Sequence, residues 1–364
     1  MKIFVFGSSV TSSYWNGAAT YYRGIYKYLQ KLGYRVTFAE PDIYRRQQNR
    51  DAGEIDYAEV IVYQATRDID RMLALASDSD LVVKHSGVGA DDELLEARVL
   101  ECQTERTRVA FWDVDAPATL ARVEEDARDP FRDLISRYDF VFTYGGGPPI
   151  VDHYLRLGAQ NCHPIYNGLD PEHHHPVAGD PKLACDLAFV GHRLPDREKR
   201  VEEFFLRAAE LAPEMKFMLG GEGWGGKNLP DNVRWIGHVA THLHNVVNVS
   251  ARMVLNINRE SMARVGFSPP TRVFEAAGAG ACMITDKWPG IEQFFEPGRE
   301  ILIASSAEEI VGHLQRLSAE ECRSVGEAMR SRACREHTYE LRVREVHRVL
   351  QAASAQSTVV GLTA

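Results

Sequence analysis

The stretch from Asn256 to Asp286 contains residue types suited to holding a phosphate-bearing ligand. Its apolar start runs into a loop with two consecutive prolines, Pro269 and Pro270, and a short helix opens directly after them at Thr271. A helix that follows a parallel strand in this way points free backbone N–H groups beyond the sheet edge, where phosphate is a common ligand. The same pattern also fits an ordinary strand–helix–strand packing unit, so this stretch leaves both interpretations open.

Two charged residues on this helix favour a nucleotide ligand. The planar guanidinium of Arg272 suits a diphosphate, and the carboxylate of Glu275 suits the hydroxyls of a ribose. At this spacing the two side chains could instead form an ion pair that stabilises the helix. We predict a nucleotide-diphosphate site to which further residues of the stretch contribute: Asn256, Asn258, Arg259, Ser268, Pro270 and Thr271.

A glycine-rich loop follows the predicted strand 216–219. It begins with Gly220, Gly221 and Glu222, and glycine at this density lets a backbone approach a ligand closely. The loop lacks the Gly-Lys-Ser/Thr of a Walker A motif, and it is not a dinucleotide fingerprint that opens a helix. We predict that these three residues contribute to the nucleotide site; a flexible surface turn is the alternative.

Polar side chains in the first half of the chain end predicted strands and are candidates for chemistry. Asp113 and Asp115 lie on the same face of a strand, and either carboxylate could accept a proton from a hydroxyl group. His85 ends another strand and could contact the reacting group or take that proton. The alternatives are a helix cap or an ion pair for the aspartates, and a buried structural role for the histidine. We take these three residues as the catalytic candidates.

Short β patterns alternate with helical patterns along most of the chain, which is typical of parallel sheets covered by helices. A length of 364 residues favours two such domains, and the proline-rich stretch 161–186 indicates the link between them. The fold class predicted is α/β, with two facing Rossmann-like domains and a cleft at the carboxyl ends of their strands. The predicted parts are a first domain, 1–168, a second domain, 169–338, a helix that could cross back to the first domain, 339–354, and a disordered tail, 355–364.

Composition argues against several functional classes. The 51 acidic residues outnumber the 42 lysines and arginines, so nucleic acid is not an expected partner. No apolar run reaches the roughly 18 residues of a membrane span, and the apolar N-terminus is too short for a signal peptide. The six cysteines show no close pairing, which predicts reduced thiols in a cytoplasmic protein. The run His173–His175 has no companion ligand cluster, so we predict no bound metal.

The motif SPPTRVFEA at 268–276, with Gly280 and the segment GIEQFF at 290–295, resembles the C-terminal half of GT-B glycosyltransferases. In the first half, FWDVDAPATL at 111–120 and FTYG at 142–145 resemble the spore-maturation-protein CgeB-like group. The resemblance covers about residues 1–350 and is most specific in the C-terminal stretch. It implies a nucleotide-diphosphate sugar held mainly by the second domain, an acceptor held mainly by the first, and no metal requirement.

One position departs from the family pattern. Many retaining GT-B enzymes carry a pair of glutamates at fixed spacing in this stretch. The second falls on Glu275, but the first would fall on Phe267, so retention of configuration does not carry over. Glu260 lies nearby and is a possible substitute.

The sequence also predicts the surroundings of two further segments in the first half of the chain. The loop 7–17 could place backbone N–H groups under the donor diphosphate, or its aromatic residues Tyr14 and Trp15 could stack on an acceptor sugar. The charged segment 40–53, with Arg45, Arg46 and Arg50, is expected to be exposed.

The sequence therefore favours a glycosyltransferase that moves a sugar from a nucleotide-diphosphate sugar to a hydroxyl-bearing acceptor. No cofactor is expected beyond that co-substrate. A nucleotide-sugar epimerase would use the same architecture without an acceptor. A third hypothesis is a non-catalytic sugar- or nucleotide-binding component of a surface-assembly complex, which the phenylalanine at position 267 keeps open.

Overall fold

The computed structural model describes residues 1–361, and their side chains through residue 353. It contains two parallel β-sheets, each covered by helices on both faces, as the alternating sequence pattern predicts. The α/β prediction with two Rossmann-like domains is confirmed.

The first sheet has seven parallel strands in the spatial order β3-β2-β1-β4-β5-β6-β7. Its strands are β1 Lys2–Phe6, β2 Arg35–Pro41, β3 Glu59–Tyr63, β4 Leu81–His85, β5 Arg108–Asp113, β6 Phe140–Thr143 and β7 His163–Pro164. Its helices are α1 Ala19–Lys31, α2 Ile69–Ala76, α3 Asp92–Arg98, α4 Ala116–Glu125, α5 Phe131–Leu134 and α6 Gly147–Arg156. The strand order reverses beside β1 and β4, the position at which such sheets open a crevice for ligands.

The second sheet has six parallel strands in the corresponding order, β10-β9-β8-β11-β12-β13. Its strands are β8 Cys185–Val190, β9 Phe217–Gly220, β10 Val233–Trp235, β11 Ala251–Asn256, β12 Met283–Asp286 and β13 Leu302–Ala304. The helices are α7 Pro195–Val201, α8 Arg207–Leu211, α9 His244–Ser250, α10 Glu260–Val265, α11 Thr271–Ala279, α12 Ala307–Arg316, α13 Ala319–Glu336 and α14 Tyr339–Gly361. A π-helical turn, Glu202–Leu206, joins α7 to α8 without a break.

Two details differ from the sequence-based expectations. A short helix, α10, interrupts the loop expected between β11 and the proline pair. The last helix continues to Gly361, well into the segment expected to be a disordered tail; the final residues, 362–364, lie outside the described part. None of the helices within residues 1–361 has the length and apolar character needed to span a bilayer.

The last helix, α14, returns from the second domain and packs on α1 of the first. Its residues Tyr339, Val343, Val346 and Leu350 belong to the same buried cluster as β1 and α1. At its start, the Leu169 N–H donates to the His337 carbonyl at 2.7 Å and the Tyr339 N–H donates to the Leu169 carbonyl at 2.9 Å. The two segments that cross between the domains are thus hydrogen-bonded to each other. These bonds help to hold the two domains in their relative orientation.

The contact between α1 and α14 can be tested at Gly24. A Cβ atom built there would lie 2.2 Å from the Tyr339 ring, so the ring has no room for it. We expect Gly24→Ala to lower the free energy of unfolding by about 1–3 kcal/mol, measured by urea denaturation. Gly312→Ala, also inside a helix but with no atom within 4 Å of the added carbon, is the matched control and should be neutral or slightly stabilising. Equal stability of the two variants would contradict the packing described.

Candidate functional site

Two adjoining pockets lie between the domains, at the carboxyl ends of both sets of strands. The second-domain pocket is walled mainly by second-domain residues, among them Val190, Gly191, His192, Gly221, His238, Val239, Val247 and Glu275. The cleft pocket is walled by both domains, with Tyr22, Arg46, Gly87, Asp115, Tyr144, Asn258, Arg259 and Pro270 among its residues. The two pockets meet at residues that line both, including Trp15, Asn16, Arg197, Thr271 and Arg272.

Two arginines at this junction have no carboxylate partner among the described residues. Arg272, in the first turn of α11, donates to the Val190 carbonyl at 3.0 Å and to Asn256 Oδ1 at 2.9 Å. Arg197 on α7 carries a buried Nε atom without any hydrogen-bond partner. Burial, together with the neighbouring charges of Arg272 and Arg259, lowers the pKa of Arg197 to about 9, so it stays protonated at neutral pH. Two adjacent, uncompensated cations are an arrangement that an anionic ligand would stabilise.

Glu275 lines the second-domain pocket and is 5% exposed. Its carboxylate lies 3.1 Å from Nδ1 of His244 on α9. Burial is the largest single influence and by itself would raise the pKa of Glu275 and lower that of His244, but the partner's charge, its hydrogen bond and further neighbours together outweigh burial. The pKa of Glu275 therefore lies well below its ordinary value and that of His244 lies above its own, so the two form an ion pair.

One residue of the histidine run, which the sequence placed in a linker, packs against this ion pair, whereas His173 and His175 are exposed. His174 is 2% exposed, and its ring stacks on that of His244 with centroids 6.2 Å apart. Burial lowers the pKa of His174 to about 4, which keeps the ring neutral. Within the part of the chain that the structure describes, no group of His, Cys, Asp or Glu is arranged to hold a metal ion.

An aromatic stack crosses between the domains at the edge of the pockets, with Trp15 from the first domain and two histidines from the second. Trp15 stacks on His192 with ring centroids 5.0 Å apart, and His192 stacks on His238 at 6.0 Å. Tyr14 meets the edge of His238 at 5.7 Å. The loop 7–17 therefore joins the two domains, and Trp15 contributes a ring to both pockets.

The glycine-rich loop contributes one residue to a pocket wall. Gly221, at φ +111°, approaches the Gly191 backbone so closely that a Cβ atom would lie 2.3 Å from the carbonyl oxygen. Gly220 packs against Val190 and Val239, and the Glu222 N–H donates to His192 Nδ1 at 3.1 Å; neither residue lines a pocket. Of these three candidates, only Gly221 is placed to touch a ligand.

The two asparagines at the end of β11 have different surroundings: Asn256 is buried, and Asn258 lines the cleft pocket. Asn256 is fully buried and bonds to Thr285 Oγ1 at 3.0 Å as well as to Arg272. Asn258 lines the cleft pocket, and its buried Nδ2 has no hydrogen-bond partner. Buried polar atoms without partners are uncommon, and one that borders an open pocket is available to a ligand.

Asp115 is the one catalytic candidate that faces the cleft pocket. Its Oδ1 is buried without a hydrogen-bond partner, while Oδ2 pairs with Nη1 of Arg259. Arg259 also binds Asp196 of α7 through Nε at 2.6 Å, so this ion bridge connects the domains. Burial raises the pKa of Asp115 in spite of the arginine, which makes its carboxylate a better proton acceptor than an exposed aspartate.

The other two catalytic candidates are buried away from the pockets. The Asp113 carboxylate accepts hydrogen bonds from Ser86 Oγ at 2.7 Å and from the Tyr154 hydroxyl at 2.5 Å. His85 is fully buried and bonds to the Tyr26 hydroxyl at 2.5 Å. Burial lowers the pKa of His85 to about 3, so the ring is neutral at physiological pH. Neither residue lines either pocket, so their catalytic assignment stays a prediction without support from the geometry.

Phe267 occupies an interdomain contact and lines neither pocket. Its carbonyl accepts from the Gly146 N–H at 2.9 Å, and its ring packs against Gly147 and Gly290. The neighbouring Ser268 is also buried and donates to the Gly266 carbonyl at 2.9 Å. Glu260, the possible substitute, is paired with Arg200 at 2.8 Å, has its side chain 62% exposed and lines neither pocket.

Several pocket residues were not among the sequence-based candidates, and the charged or titratable ones include Arg46, Arg197 and His244. Arg46 contradicts the expectation of an exposed segment, because it is 5% exposed and lines the cleft pocket. Arg197 and His244 stand in ordinary helical patterns, and only the approach of distant segments shows that they reach a pocket. Pro195, two residues before Arg197, begins helix α7, but a helix start does not indicate where the Arg197 side chain lies.

Comparison with known proteins agrees with this geometry. A family model described as "Glycosyl transferase-like" matches residues 197–348, which form most of the second domain. By sequence, no curated protein matches the chain.

Several solved structures share the whole architecture. Sucrose-phosphate synthase from Thermosynechococcus elongatus aligns with a TM-score of 0.70 at 14% identity, over 98% of this chain and 100% of that one. Anabaena Alr3699/HepE in complex with UDP-glucose aligns with a TM-score of 0.68 at 12% identity, over 97% and 100%. The lipopolysaccharide outer core galactosyltransferase WaaB in its apo form aligns with a TM-score of 0.58 at 14% identity, over 97% and 100%. At these identities the likeness establishes the fold, which is the GT-B fold.

The pair of His244 and Glu275 makes stability depend on pH in a defined direction. The folded-state pKa of His244 is raised, so its stabilising charge is fully present below the unfolded value of about 6.5 and is lost as pH rises through the folded-state pKa. We expect His244→Gln to lower the free energy of unfolding by about 1–3 kcal/mol near pH 5.5, and by less near pH 8.5. Urea unfolding at both pH values measures the difference. His242→Gln, at an exposed neighbour, is the control, and a pH-independent loss in His244→Gln would refute the ion pair.

Proposed function

We propose that this protein is a glycosyltransferase that moves a sugar from a nucleoside-diphosphate sugar to a hydroxyl-bearing acceptor in the interdomain cleft. The observation that carries the proposal is the pair of uncompensated arginines, Arg197 and Arg272, at the junction of the two pockets. A diphosphate at this junction would leave the nucleoside in the second-domain pocket and the sugar in the cleft pocket. The sequence resemblance to the CgeB-like group is consistent with this function.

The donor site is assembled from residues of both domains. The start of α11 adds backbone N–H groups near the phosphates, and Glu275 lines the pocket expected to hold the ribose. Gly221, His192 and His238 line the second-domain pocket and would lie beside the nucleobase. The solved structure of Anabaena Alr3699/HepE with UDP-glucose, on the same fold, supports a uridine nucleotide as the first donor to try.

The acceptor would enter from the first-domain side, where Asp115 faces the cleft pocket. In the proposed step the acceptor oxygen bonds to the anomeric carbon while the bond from that carbon to the diphosphate oxygen breaks. The acceptor proton passes to Oδ1 of Asp115, and the charge on the departing diphosphate is stabilised by Arg197 and Arg272. These arginines supply positive charge of the kind a metal ion would otherwise supply, so we propose that transfer is independent of metal.

Binding of nucleoside diphosphates tests the donor site. We expect Arg197→Gln and Arg272→Gln each to weaken UDP binding by about 10- to 100-fold, because each removes a charge-assisted hydrogen bond to phosphate. Isothermal titration of the wild type with a panel of nucleoside diphosphates comes first, followed by the variants. Arg299→Gln, whose side chain is 72% exposed, is the control and should bind within about twofold of the wild type. Failure of every nucleoside diphosphate to bind the wild type would overturn the proposed function.

Turnover tests the acceptor side. We expect Asp115→Asn to lower kcat by about 10²- to 10⁴-fold with little change in UDP affinity, since it removes the proton acceptor. Asp196→Asn breaks the same bridge through Arg259 but lines neither pocket, so it serves as the matched control with a smaller loss. The assay follows release of free nucleoside diphosphate from nucleotide sugars, with and without acceptors and with and without EDTA.

The products of this assay separate the proposed reaction from the alternatives. Nucleoside diphosphate released only when an acceptor is present supports transfer. An isomerised donor would indicate an epimerase, and an intact, tightly bound donor would indicate a binding component. Equal activity of Asp115→Asn and the wild type would remove Asp115 as the proton acceptor.

A further inference from the structure

Arg46 is a buried cation on the first-domain wall of the cleft pocket. It follows β2, is 5% exposed, and has no carboxylate within ion-pair distance among residues 1–353. It donates from Nη1 to the Ser8 carbonyl at 3.1 Å and from Nη2 to the Trp15 carbonyl at 3.2 Å. Its Nε has no hydrogen-bond partner. A guanidinium has five N–H donors, so most of the donor capacity of Arg46 remains free.

Two other charged groups near this wall, Arg259 and Glu40, already have partners. Arg259 is neutralised by Asp115 and Asp196, one from each domain. The carboxylate of Glu40, which offsets part of the charge of Arg46, accepts hydrogen bonds from the Val10 N–H and from Gln47 at 2.7 Å each.

Arg46 lies at a different place in the cleft from the two arginines assigned to the diphosphate. Arg197 and Arg272 line both pockets, whereas Arg46 lines the cleft pocket alone, on the same wall as Gly87 and Asp115. A Cβ atom on Gly87 would meet nothing within 4 Å, so this wall has open space beside it. Burying a cation without a counter-charge is costly, and the cost is offset when an anion of the substrate occupies that space.

We propose that the acceptor carries an anionic group, a phosphate or a carboxylate, which binds Arg46 while its hydroxyl is held at Asp115. This inference rests on the proposed function and narrows its acceptor to anionic, hydroxyl-bearing compounds. The free N–H donors of Arg46 suit bidentate recognition of either group.

The test uses the full-length protein saturated with UDP and titrated with matched anionic and neutral compounds. The probes are glucose 6-phosphate, fructose 6-phosphate, glycerol 3-phosphate and glucuronate, each set against glucose, fructose or glycerol. We expect at least one anionic probe to bind about 10- to 100-fold more tightly than its neutral counterpart, and Arg46→Gln to abolish that preference. Arg46→Lys keeps the positive charge but not the planar guanidinium group, so it should retain part of the preference for anionic probes. Arg50→Gln changes an exposed neighbour and should retain the whole preference.

Three outcomes would overturn the inference. The first is that no anionic probe binds more tightly than its neutral counterpart. The second is that Arg46→Gln weakens UDP itself as strongly as Arg197→Gln does, which would assign Arg46 to the diphosphate. The third is that the preference for anionic probes survives in Arg46→Gln. Thermal unfolding of each variant checks that it is folded. If Arg46→Gln does not fold, the same comparison is made with Arg46→Lys.

The source of the anion and the proposed function are tested separately. UDP-glucose and UDP-glucuronate are compared on the wild type and on Arg46→Gln; a loss confined to UDP-glucuronate would place the anion on the transferred sugar and overturn an anionic acceptor. If no nucleoside diphosphate binds, the glycosyltransferase proposal fails, and the same probe panel on the nucleotide-free protein still decides whether Arg46 holds an anion.

Discussion

The rest of the site depends on the positive charge that is buried between the domains. The chain as a whole carries a formal charge of −9, yet four arginines and one aspartate are the charged side chains lining the cleft pocket. Only Arg259 among those arginines has carboxylate partners in the described structure. Cations desolvated in this way stay charged at a cost in stability unless an anion joins them. An anionic ligand in the cleft would offset that cost.

The relative position of the domains depends on a few contacts that surround this charge. Arg259 bridges Asp115 and Asp196, and the Phe267 carbonyl accepts from the Gly146 N–H. On the far side, Asp51 accepts from Thr241 Oγ1 at 2.8 Å. The returning helix α14 ties the second domain to α1. These contacts determine which side chains of one domain face those of the other, and so they define the pockets.

The placement of Phe267 shows why the fold alone does not specify a reaction. One fold supports many activities, because the chemistry depends on the residues grafted onto it. At the position where the sequence resemblance led us to look for a carboxylate, this chain has Phe267, which packs the two domains together. Asp115 and Asn258, which line the cleft, instead carry buried polar atoms without hydrogen-bond partners.

The sequence by itself determined the α/β architecture, the two domains and the stretch around α11, because these depend on local periodicity, prolines and glycines. It also supplied Arg272 and Glu275, which stand on one short helix whose direction the sequence sets. Only the tertiary structure separated Asp115 from Asp113, since two of the hydrogen bonds to Asp113 come from Ser86 and Tyr154, which are distant in the chain. Likewise, whether an arginine such as Arg46 is paired or free depends on which distant segments pack around it, and sequence spacing does not encode that.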